Sequence, residues 1–184
     1  MPTILGANSV SGYEISNSLA FNDASSETLD KNFSSDGDRQ KFTWSAWIKR
    51  SALGADMVPL GAAEGSGRDE IRLNSNDKFQ VFLGDASDAN LITTRVFRDV
   101  SAWYHFVVAV DTTQGTAANR MKVYVNGVQE SAFDTETYPD QNYQMDFTAD
   151  CEHNIGAEGG GASLAFDGYM SEVNFVDGTQ LTPS

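Results

Sequence analysis

Residues 103–129 carry the densest strand signal of the chain and constrain its fold more than any other stretch. Residues 103–110 are almost all β-branched or aromatic, which is typical of a central strand covered on both faces. Residues 121–125 repeat this pattern, and Asn126 and Gly127 after them are the pair that best tolerates the two positive φ angles of a type I′ turn. We therefore predict a hairpin within a sheet, with recognition or chemistry on the loops around it.

Other short apolar runs recur about every ten residues and are separated by turn residues, which is the spacing of an all-β sandwich. The clearest run, residues 41–50, alternates so that Trp44 and Trp47 fall on opposite faces. We expect all three tryptophans, including Trp103, to lie in the core, because their strands are predicted to be inner ones. The remaining predicted strands are residues 13–16, 18–21, 28–33, 57–61, 70–73, 78–83, 91–96, 144–148, 151–155 and 165–176. Since no long window has helical periodicity, the sequence predicts an all-β, antiparallel two-sheet sandwich with almost no helix.

Length and charge limit the number of domains and the class of partner. The 184 residues fit one β-sandwich, and we expect that domain at residues 13–184. Residues 1–12 are uncharged and rich in Ser, Gly and Asn, which predicts an arm suited to docking on a partner. The 26 acidic residues outnumber the 12 Lys and Arg residues, and the formal net charge is -14. We expect no nucleic-acid partner, because phosphate binding draws on Lys and Arg clusters.

The single cysteine and the apolar content indicate how the chain is stabilised and where it works. Cys151 has no partner for an intrachain disulfide, and we predict a small buried residue there rather than a nucleophile. No apolar run approaches the roughly 20 residues that span a bilayer, so we expect no membrane insertion. Residues 1–10 lack the basic residues and long apolar core of a signal peptide, so we expect no ordinary secretion.

Five segments resemble the successive core motifs of laminin G-like domains, which belong to the concanavalin A-like lectin and glucanase superfamily. These are residues 42–48, 103–111, 123–127, 155–157 and 166–173. The similarity covers roughly residues 13–184, and the order of the motifs makes it specific. It implies a jelly-roll sandwich of two antiparallel sheets, in agreement with the strand pattern.

Four further segments are similar to domains in virion proteins of tailed bacteriophages, in tail fibres or capsid appendages. These are residues 6–9, 17–21, 43–50 and 176–184. The resemblance implies a non-enzymatic structural protein on the virion surface, anchored by its arm to other virion proteins. Release by host lysis would explain the missing signal peptide. Related sequences usually continue further, so we expect either a short member or an N-terminal piece.

The resemblance leaves the role of the loops open. In the first interpretation they bind host-surface glycan. In the second, the chain is a capsid decoration or assembly protein without a ligand, and a glycan-degrading enzyme is the third. Copies of the chain are expected partners as well, and a homotrimer is the state that analogy with fibre modules suggests.

Catalysis is disfavoured by the placement of the acidic residues. Glycoside hydrolases of the superfamily use two carboxylates, about 5 Å apart in retaining enzymes. Asp69 and Glu70 are adjacent, so their side chains are expected on opposite faces of a strand. Asp134 and Glu136 have the right spacing but lie in a polar, turn-rich stretch. We therefore predict no catalytic residues.

The sequence around His105 offers no cysteine and no second histidine at ligand spacing. His105 lies among apolar residues in the middle of a predicted strand, and we predict a hydrogen-bonded core histidine. His153 is equally solitary. Both are therefore expected to have structural roles.

Calcium is the one ion that the sequence suggests, and we expect no required cofactor. Laminin G-like and lectin relatives often hold an ion at a loop rim, and the hard oxygen ligands that calcium prefers are abundant here. One candidate loop carries Asp36 and Asp38, and another carries Asp85, Asp88 and Asn90. Solvated acidic loops are the alternative interpretation.

The best candidate for sugar binding is the segment that contains two tyrosines. A pyranose ring packs on an aromatic face, and its hydroxyls bind carboxylates and amides. Tyr138, Asp140, Asn142 and Tyr143 provide these groups within six residues. Loop tyrosines also cover cores or fill subunit interfaces, and this alternative stays open.

Overall fold

The computed structural model describes residues 16–65, 67–84, 86–161 and 163–183. The predicted arm at residues 1–12 and the candidate calcium ligand Asp85 lie outside these ranges, as does most of the predicted strand at 13–16. Within the described ranges the chain forms thirteen strands. These are β1 (Leu19–Phe21), β2 (Leu29–Asn32), β3 (Lys41–Arg50), β4 (Met57–Ala63), β5 (Asp69–Leu73), β6 (Lys78–Leu83), β7 (Ala89–Val96), β8 (Tyr104–Asp111), β9 (Met121–Val125), β10 (Val128–Gln129), β11 (Phe133–Thr137), β12 (Glu152–Ile155) and β13 (Gly168–Asp177).

The described strands form two antiparallel sheets that pack face to face. One sheet has the strand order β1-β13-β3-β8-β9-β10, and the other has the order β11-β7-β6-β5-β4-β12-β2. Sequence neighbours such as β8 and β9 pair directly, whereas β13 pairs with β1 and β3 and so brings the two ends of the domain together. The predicted all-β, two-sheet architecture is confirmed.

The strands predicted from residues 103–129 are β8, β9 and β10 of the six-stranded sheet, in which β10 is an edge strand. β8 is bordered by β3 on one side and by β9 on the other. Asn126 and Gly127 have φ angles of 51° and 81°, so both adopt the left-handed conformation that a type I′ turn needs. Residues 106–111 of β8 are all buried, which confirms a central strand covered on both faces.

The three tryptophans occupy two different environments. Trp44 is fully buried between the sheets, as predicted. Trp47 lies three residues further along β3 and faces away from the core, where its ring lies 5.0 Å from that of His105. Trp103 is half-buried, and its ring lies 6.5 Å from the ring of Tyr169. The core prediction is wrong for Trp47 and Trp103, because this part of the outer face is only partly covered.

Two predictions between β10 and β12 are wrong. Residues 144–148 form turns rather than a strand, although Met145 and Phe147 are buried. Their apolar character reflects burial between the sheets, which a loop can also achieve. In contrast, the polar segment Phe133–Thr137 is β11, an edge strand that pairs with β7. An edge strand with one face in solvent needs few apolar residues, so its sequence resembles a loop.

A buried ion pair ties β3 to the turn between β5 and β6. Arg50 is fully buried, and its Nη1 lies 3.1 Å from Oδ1 of Asp77 and donates to the backbone oxygen of Phe97 at 3.0 Å. Burial lowers the pKa of Arg50, and Asp77 opposes that change. Burial alone would raise the pKa of Asp77, but the amide of Gly54 and the side chains of Arg98 and Arg50 bring it below its usual value.

Helix in the described part of the chain is limited to two single 3₁₀ turns, Asp23–Ser25 and Ala117–Asn119. This agrees with the absence of helical periodicity in the sequence. No helix among the described residues has the length and apolar character needed to cross a bilayer.

Candidate functional site

Two of the predicted site regions meet at one end of the sandwich. The tyrosine loop (residues 138–143) follows β11, and the acidic loop (residues 84–88) joins β6 to β7. The phenol of Tyr143 donates a hydrogen bond to Oδ2 of Asp88 at 3.2 Å. A Cβ atom on Gly84 would lie only 2.5 Å from the phenol oxygen, so the glycine permits this close approach. The structure therefore joins a candidate sugar loop to part of a candidate calcium loop.

The tyrosine loop is fixed on both sides by hydrogen bonds to its neighbours. The backbone N–H of Asn142 donates to the carbonyl oxygen of Thr112 at 2.9 Å, and the Thr112 hydroxyl donates to the carbonyl oxygen of Tyr143 at 2.9 Å. Nη1 of Arg120 donates to the carbonyl oxygen of Pro139 at 2.8 Å. The backbone of the loop is thus held in one conformation before any ligand arrives.

The side chains of the tyrosine loop divide into buried and exposed groups. Tyr138 and Tyr143 are half-buried and pack against the core, whereas Asp140 and Asn142 are exposed. The side chains of Asp140 and Asn142 have no hydrogen-bond partner among the described residues, so their oxygen and nitrogen atoms are available to a ligand.

Both tyrosines keep their phenol protons at physiological pH. The Tyr138 hydroxyl donates to Oε1 of Glu136 at 2.8 Å. Burial, together with the Glu136 carboxylate, raises the pKa of Tyr138 to about 12. Burial also raises the pKa of Tyr143, and the nearby carboxylates of Asp69 and Asp88 raise it further. The two phenols therefore act as hydrogen-bond donors within the rim, which consists of the tyrosine loop and the acidic loop.

Asp69, at the start of β5, links the acidic loop to the chain that follows the tyrosine loop. Its Oδ1 accepts the N–H of Gly84 at 3.0 Å, and its Oδ2 accepts the N–H groups of Asp146 at 2.6 Å and Phe147 at 3.1 Å. The side chain is fully buried, and burial followed by repulsion from Asp146 raises the pKa of Asp69 to about 7 despite these three bonds. Sequence reasoning considered Asp69 only as a catalytic group. The sequence pattern that could have identified its structural role is the alternation of Asp69 with Ile71, which places Asp69 on the inner face of the strand.

Arg39 provides a second link to the rim. Its Nε donates to the carbonyl oxygen of Met145 at 3.0 Å, and its Nη2 lies 2.5 Å from Oε2 of Glu64 and 3.4 Å from Oδ1 of Asp146. The guanidinium therefore fixes the turns after the tyrosine loop and offsets part of the local negative charge.

The first candidate calcium loop uses its carboxylates within the protein. Oδ1 of Asp36 accepts the N–H of Asp150 at 2.7 Å, and Oδ2 lies 4.0 Å from Nη1 of Arg39. Oδ1 of Asp38 accepts the N–H of Gln40 at 3.0 Å. These contacts give both residues a structural role in the turn that precedes β3.

The second candidate calcium loop is only partly described. Asp88 accepts the Tyr143 phenol, and Oδ1 of Asn90 accepts Nε2 of Gln80 at 3.1 Å. Among the described residues, no three His, Cys, Asp or Glu side chains are grouped as a metal site. Because Asp85 lies outside those residues, calcium binding at this loop stays a prediction.

The carboxylates considered for catalysis are separated or already paired. Asp69 contacts the rim on the inner side of β5, whereas Glu70 lies on the outer face with Arg72, whose Nε donates to Oε2 at 3.0 Å. Burial raises the pKa of Glu70, and Arg72 opposes this effect. Asp134 in β11 forms an ion pair with Lys78 in β6. The arrangement provides scaffolding for β5 and β11.

His105, His153 and Cys151 all pack against other residues of the domain. The prediction that His105 lies in the core is wrong. His105 is half-buried on the outer face beside Trp47 rather than in the core, because it shares the outward parity of Trp47. The buried and hydrogen-bonded histidine is His153, with Nε2 at 2.8 Å from the carbonyl oxygen of Phe147. Burial raises the pKa of Cys151 to about 11, which favours the thiol over the nucleophilic thiolate.

Solved structures with a similar fold come from different kinds of protein. Domain 4 of a GH43 extracellular arabinanase from Geobacillus stearothermophilus, in complex with arabinotriose, has a TM-score of 0.54 and 17% identity over 77% of this chain and 63% of that one. A heptameric SAP-like pentraxin from Limulus polyphemus has a TM-score of 0.59 and 18% identity over 80% of this chain and 68% of that one. A candidate carbohydrate-binding protein from Bacteroides ovatus has a TM-score of 0.61 and 19% identity over 89% of this chain and 44% of that one.

At these identities the likeness shows the fold alone, and the chain spans less than two-thirds of both the arabinanase domain and the Bacteroides protein. No curated protein sequence matches the chain. The profile of the Laminin G 3 family matches residues 21–184, which is most of its length and includes every strand of both sheets except the first two residues of β1. The chain therefore belongs to the laminin G-type family of the concanavalin A-like lectin/glucanases superfamily.

Proposed function

We propose that this domain is a non-catalytic structural module of a tailed-phage virion, on a tail fibre or capsid appendage, and that its rim binds host-surface glycan. The observation that carries the glycan-binding part is the fixed tyrosine loop, in which exposed Asp140 and Asn142 side chains stand beside two half-buried tyrosine rings. The fold is shared with a domain whose structure contains arabinotriose, which supports the same proposal.

The loop has the chemistry that a sugar requires. Carboxylate and amide groups bind vicinal hydroxyls, and an aromatic ring edge or face packs against the apolar side of the sugar ring. Because the backbone is already fixed through Thr112 and Arg120, little conformational entropy is lost when the ligand binds. Weak single-site binding would then be increased by several copies on one particle.

The proposal that the module is not an enzyme rests on how the carboxylates are used. Asp69 accepts three backbone N–H groups, and Glu70 is paired with Arg72 on the opposite face. Asp134 and Glu136 are engaged by Lys78 and Tyr138.

The virion context rests on the phage-like sequence segments and on the proposed arm at residues 1–12. In this proposal the arm anchors the domain to another virion protein, and further copies of the chain are its neighbours, as a homotrimer by analogy. The Limulus pentraxin, which has a similar fold, is heptameric, and this supports a proposal in which copies of the chain assemble.

A specific feature favours the competing role as a decoration or assembly protein. The outer face of the six-stranded sheet carries Tyr169, which is 40% exposed, beside half-buried Trp47 and Trp103, and further along β13 it carries Val176, which is 38% exposed. Apolar groups on a flat sheet face are suited to contact with a neighbouring subunit. If this face is the functional surface, the domain assembles without binding glycan.

A binding experiment separates the two functions. The purified domain is titrated with host-envelope polysaccharide, with and without EDTA, alongside the variant D140A/N142A. We expect binding that weakens about tenfold in the variant, since two lost hydrogen bonds cost about 1–3 kcal/mol. A control variant, N76A/D99A, removes the same residue types from turns at the opposite end of the sandwich and should bind normally, although Asp99, unlike Asp140, also accepts hydrogen bonds from Ser101.

The outcomes have distinct meanings. Loss of binding in EDTA would assign an ion to the rim, and no binding in either condition would favour the decoration role. Release of reducing sugar during the titration would contradict the non-enzymatic role. For the anchor, deletion of residues 1–12 should leave the domain folded but absent from particles, and normal incorporation would contradict it.

A further inference from the structure

An open cavity lies between the edges of the two sheets, away from the rim. Its volume is about 580 Å³, and it is bounded by β2 and β12 on one side and by the end of β13 on the other. Its apolar wall consists of Leu29, Phe33, Leu60, Phe147, Ile155 and Phe175. The cavity therefore continues the hydrophobic core to the surface of the domain.

Three of the six apolar side chains in this wall are exposed to solvent. Leu29 is 52% exposed, Phe33 48% and Phe175 40%. Phe175 nevertheless faces inward, because it pairs with Trp44 in the β3 ladder and its ring stacks on Phe42 at 5.2 Å. Because Phe175 faces inward and is still exposed, this seam presents apolar surface that a further element can cover.

The same place has an unpaired strand edge. β1 pairs with β13 only at residues 168–170, whereas β3 pairs with β13 as far as Asp177. No strand lies along the other side of residues 174–177 among the described parts of the chain. Such an edge presents backbone N–H and C=O groups that can pair with an added strand.

The chain that precedes β1 leads toward this edge. Leu19 pairs with Met170, and the hydroxyl of Ser171 donates to the carbonyl oxygen of Asn17. If the chain continued before Asn17 as a strand antiparallel to β13, each preceding residue would lie about 3.4 Å further toward the exposed end of β13. Residues 13–16 are thus long enough to reach Phe175 and Asp177.

The register decides which side chains would face the cavity. A bulge in β13 between Ser171 and Asn174 adds one residue relative to β3. If the added strand follows the same shift, Ile15 lies opposite Phe175 and Tyr13 lies opposite Asp177. Both β13 residues are on the inner face, so both added side chains would fall on the cavity side.

We propose that residues 13–16 of this chain add to the free edge of β13 and place Ile15 and Tyr13 over the cavity. The alternation of the sequence fits this role, since Tyr13 and Ile15 share parity with Leu19 and Phe21, whereas Glu14 and Ser16 fall on the solvent side. The occupant is a segment of the same chain, and residues 1–12 then continue beyond the domain.

A pair of cysteine variants tests the register directly. Ile15→Cys with Phe175→Cys should form an intrachain disulfide under mild oxidation, because directly opposed residues in an antiparallel pair bring their Cβ atoms close enough. Glu14→Cys with Phe175→Cys is the control. It contains the same change at Phe175 and the same native Cys151, but in the proposed register Glu14 faces the opposite side of the sheet from Phe175. We expect a several-fold higher disulfide yield in the first variant, read from tryptic peptides under non-reducing conditions.

A second measurement does not depend on Phe175. Amide hydrogen exchange in residues 172–177 is compared among the full chain, a chain that starts at residue 13 and a chain that starts at residue 17. We expect protection in the first two and at least tenfold faster exchange in the third. Equal exchange in all three, or equal disulfide yields in the two variants, would overturn the proposal. A disulfide formed only between chains would assign the cavity to a second copy and would also overturn it.

Discussion

The phenol of Tyr143 and the carboxylate of Asp88 lie 3.2 Å apart and connect two loops that are 55 residues apart in sequence. One loop precedes β7 and the other follows β11, and these two strands pair in antiparallel fashion at the edge of the seven-stranded sheet, so the two loops meet at the same end of that sheet. The Asp69 carboxylate accepts backbone N–H groups from the acidic loop and from the chain that follows the tyrosine loop. The candidate site is therefore a single unit whose parts depend on one another.

Removing the phenol should loosen this unit while leaving the core packed. Tyr143→Phe deletes the hydrogen bond to Asp88 but keeps the ring, so we expect a loss of about 1 kcal/mol in the free energy of unfolding. Glycan binding should weaken more than this loss alone would explain, because the acidic loop is released. Tyr138→Phe is the control, since it removes the bond to Glu136 and leaves the acidic loop in place. Equal binding by both variants would show that the Tyr143 contact does not order the site.

Asp69 should make stability depend on pH in a defined direction. Burial and Asp146 raise the pKa of its carboxyl in the native state to about 7, whereas the pKa of an aspartate in the unfolded chain is about 4. Between these values the native state holds a proton that the unfolded chain has released. Stability contributed by this group is therefore complete below about pH 4 and is lost as the pH rises through about 7.

The Asp69→Asn variant isolates this contribution. We expect it to cost about 1–3 kcal/mol, because one carboxylate oxygen that accepts N–H groups is replaced by a donor. Urea unfolding across the same pH range should show a flatter profile for the variant than for the unaltered protein. Parallel pH profiles would mean that Asp69 is not the titrating group.

The buried pair of Arg50 and Asp77 should be sensitive to loss of the acid. Asp77→Ala leaves the Arg50 guanidinium buried without its counter-charge, so we expect a loss of about 3–5 kcal/mol in the free energy of unfolding. Arg98→Ala removes the other cation beside Asp77, but that side chain is 63% exposed, and we expect at most about 1 kcal/mol. Similar losses in the two variants, measured by chemical denaturation, would contradict the dominant role of burial.

Gly159 should tolerate no side chain, because its backbone lies directly on β4. A Cβ atom there would approach the carbonyl carbon of Ala62 to 2.2 Å, and backbone atoms cannot move aside as a flexible side chain can. We expect Gly159→Ala to cost about 1–3 kcal/mol or more in thermal or chemical unfolding. Gly115→Ala is the matched control, since a Cβ atom there meets nothing within 4 Å. A neutral Gly159→Ala would show that the loop after β12 shifts freely.

Local sequence patterns correctly predicted the strands with a strong alternating or apolar pattern, and the turn whose positive φ angles favour Asn and Gly. β3 and β8 have the predicted course, and Asn126 and Gly127 form the predicted turn. Residues 144–148 were predicted incorrectly because burial of Met145 and Phe147 in a loop gives the same apolar signal as a strand. β11 was missed because an edge strand can be polar.

The sequence alone determined the fold class, the central hairpin and the family, because these depend on periodicity and on motifs that are contiguous along the chain. Only the tertiary structure decided which part of the outer face of β3 and β8 is left incompletely covered, and so moved Trp47 and His105 from the predicted core to the outer face. It also brought Tyr143 to Asp88 and showed that Asp69 links the acidic loop to the chain that follows the tyrosine loop. Contacts between residues distant in sequence depend on sheet order and on the packing of loops, which a local pattern does not contain.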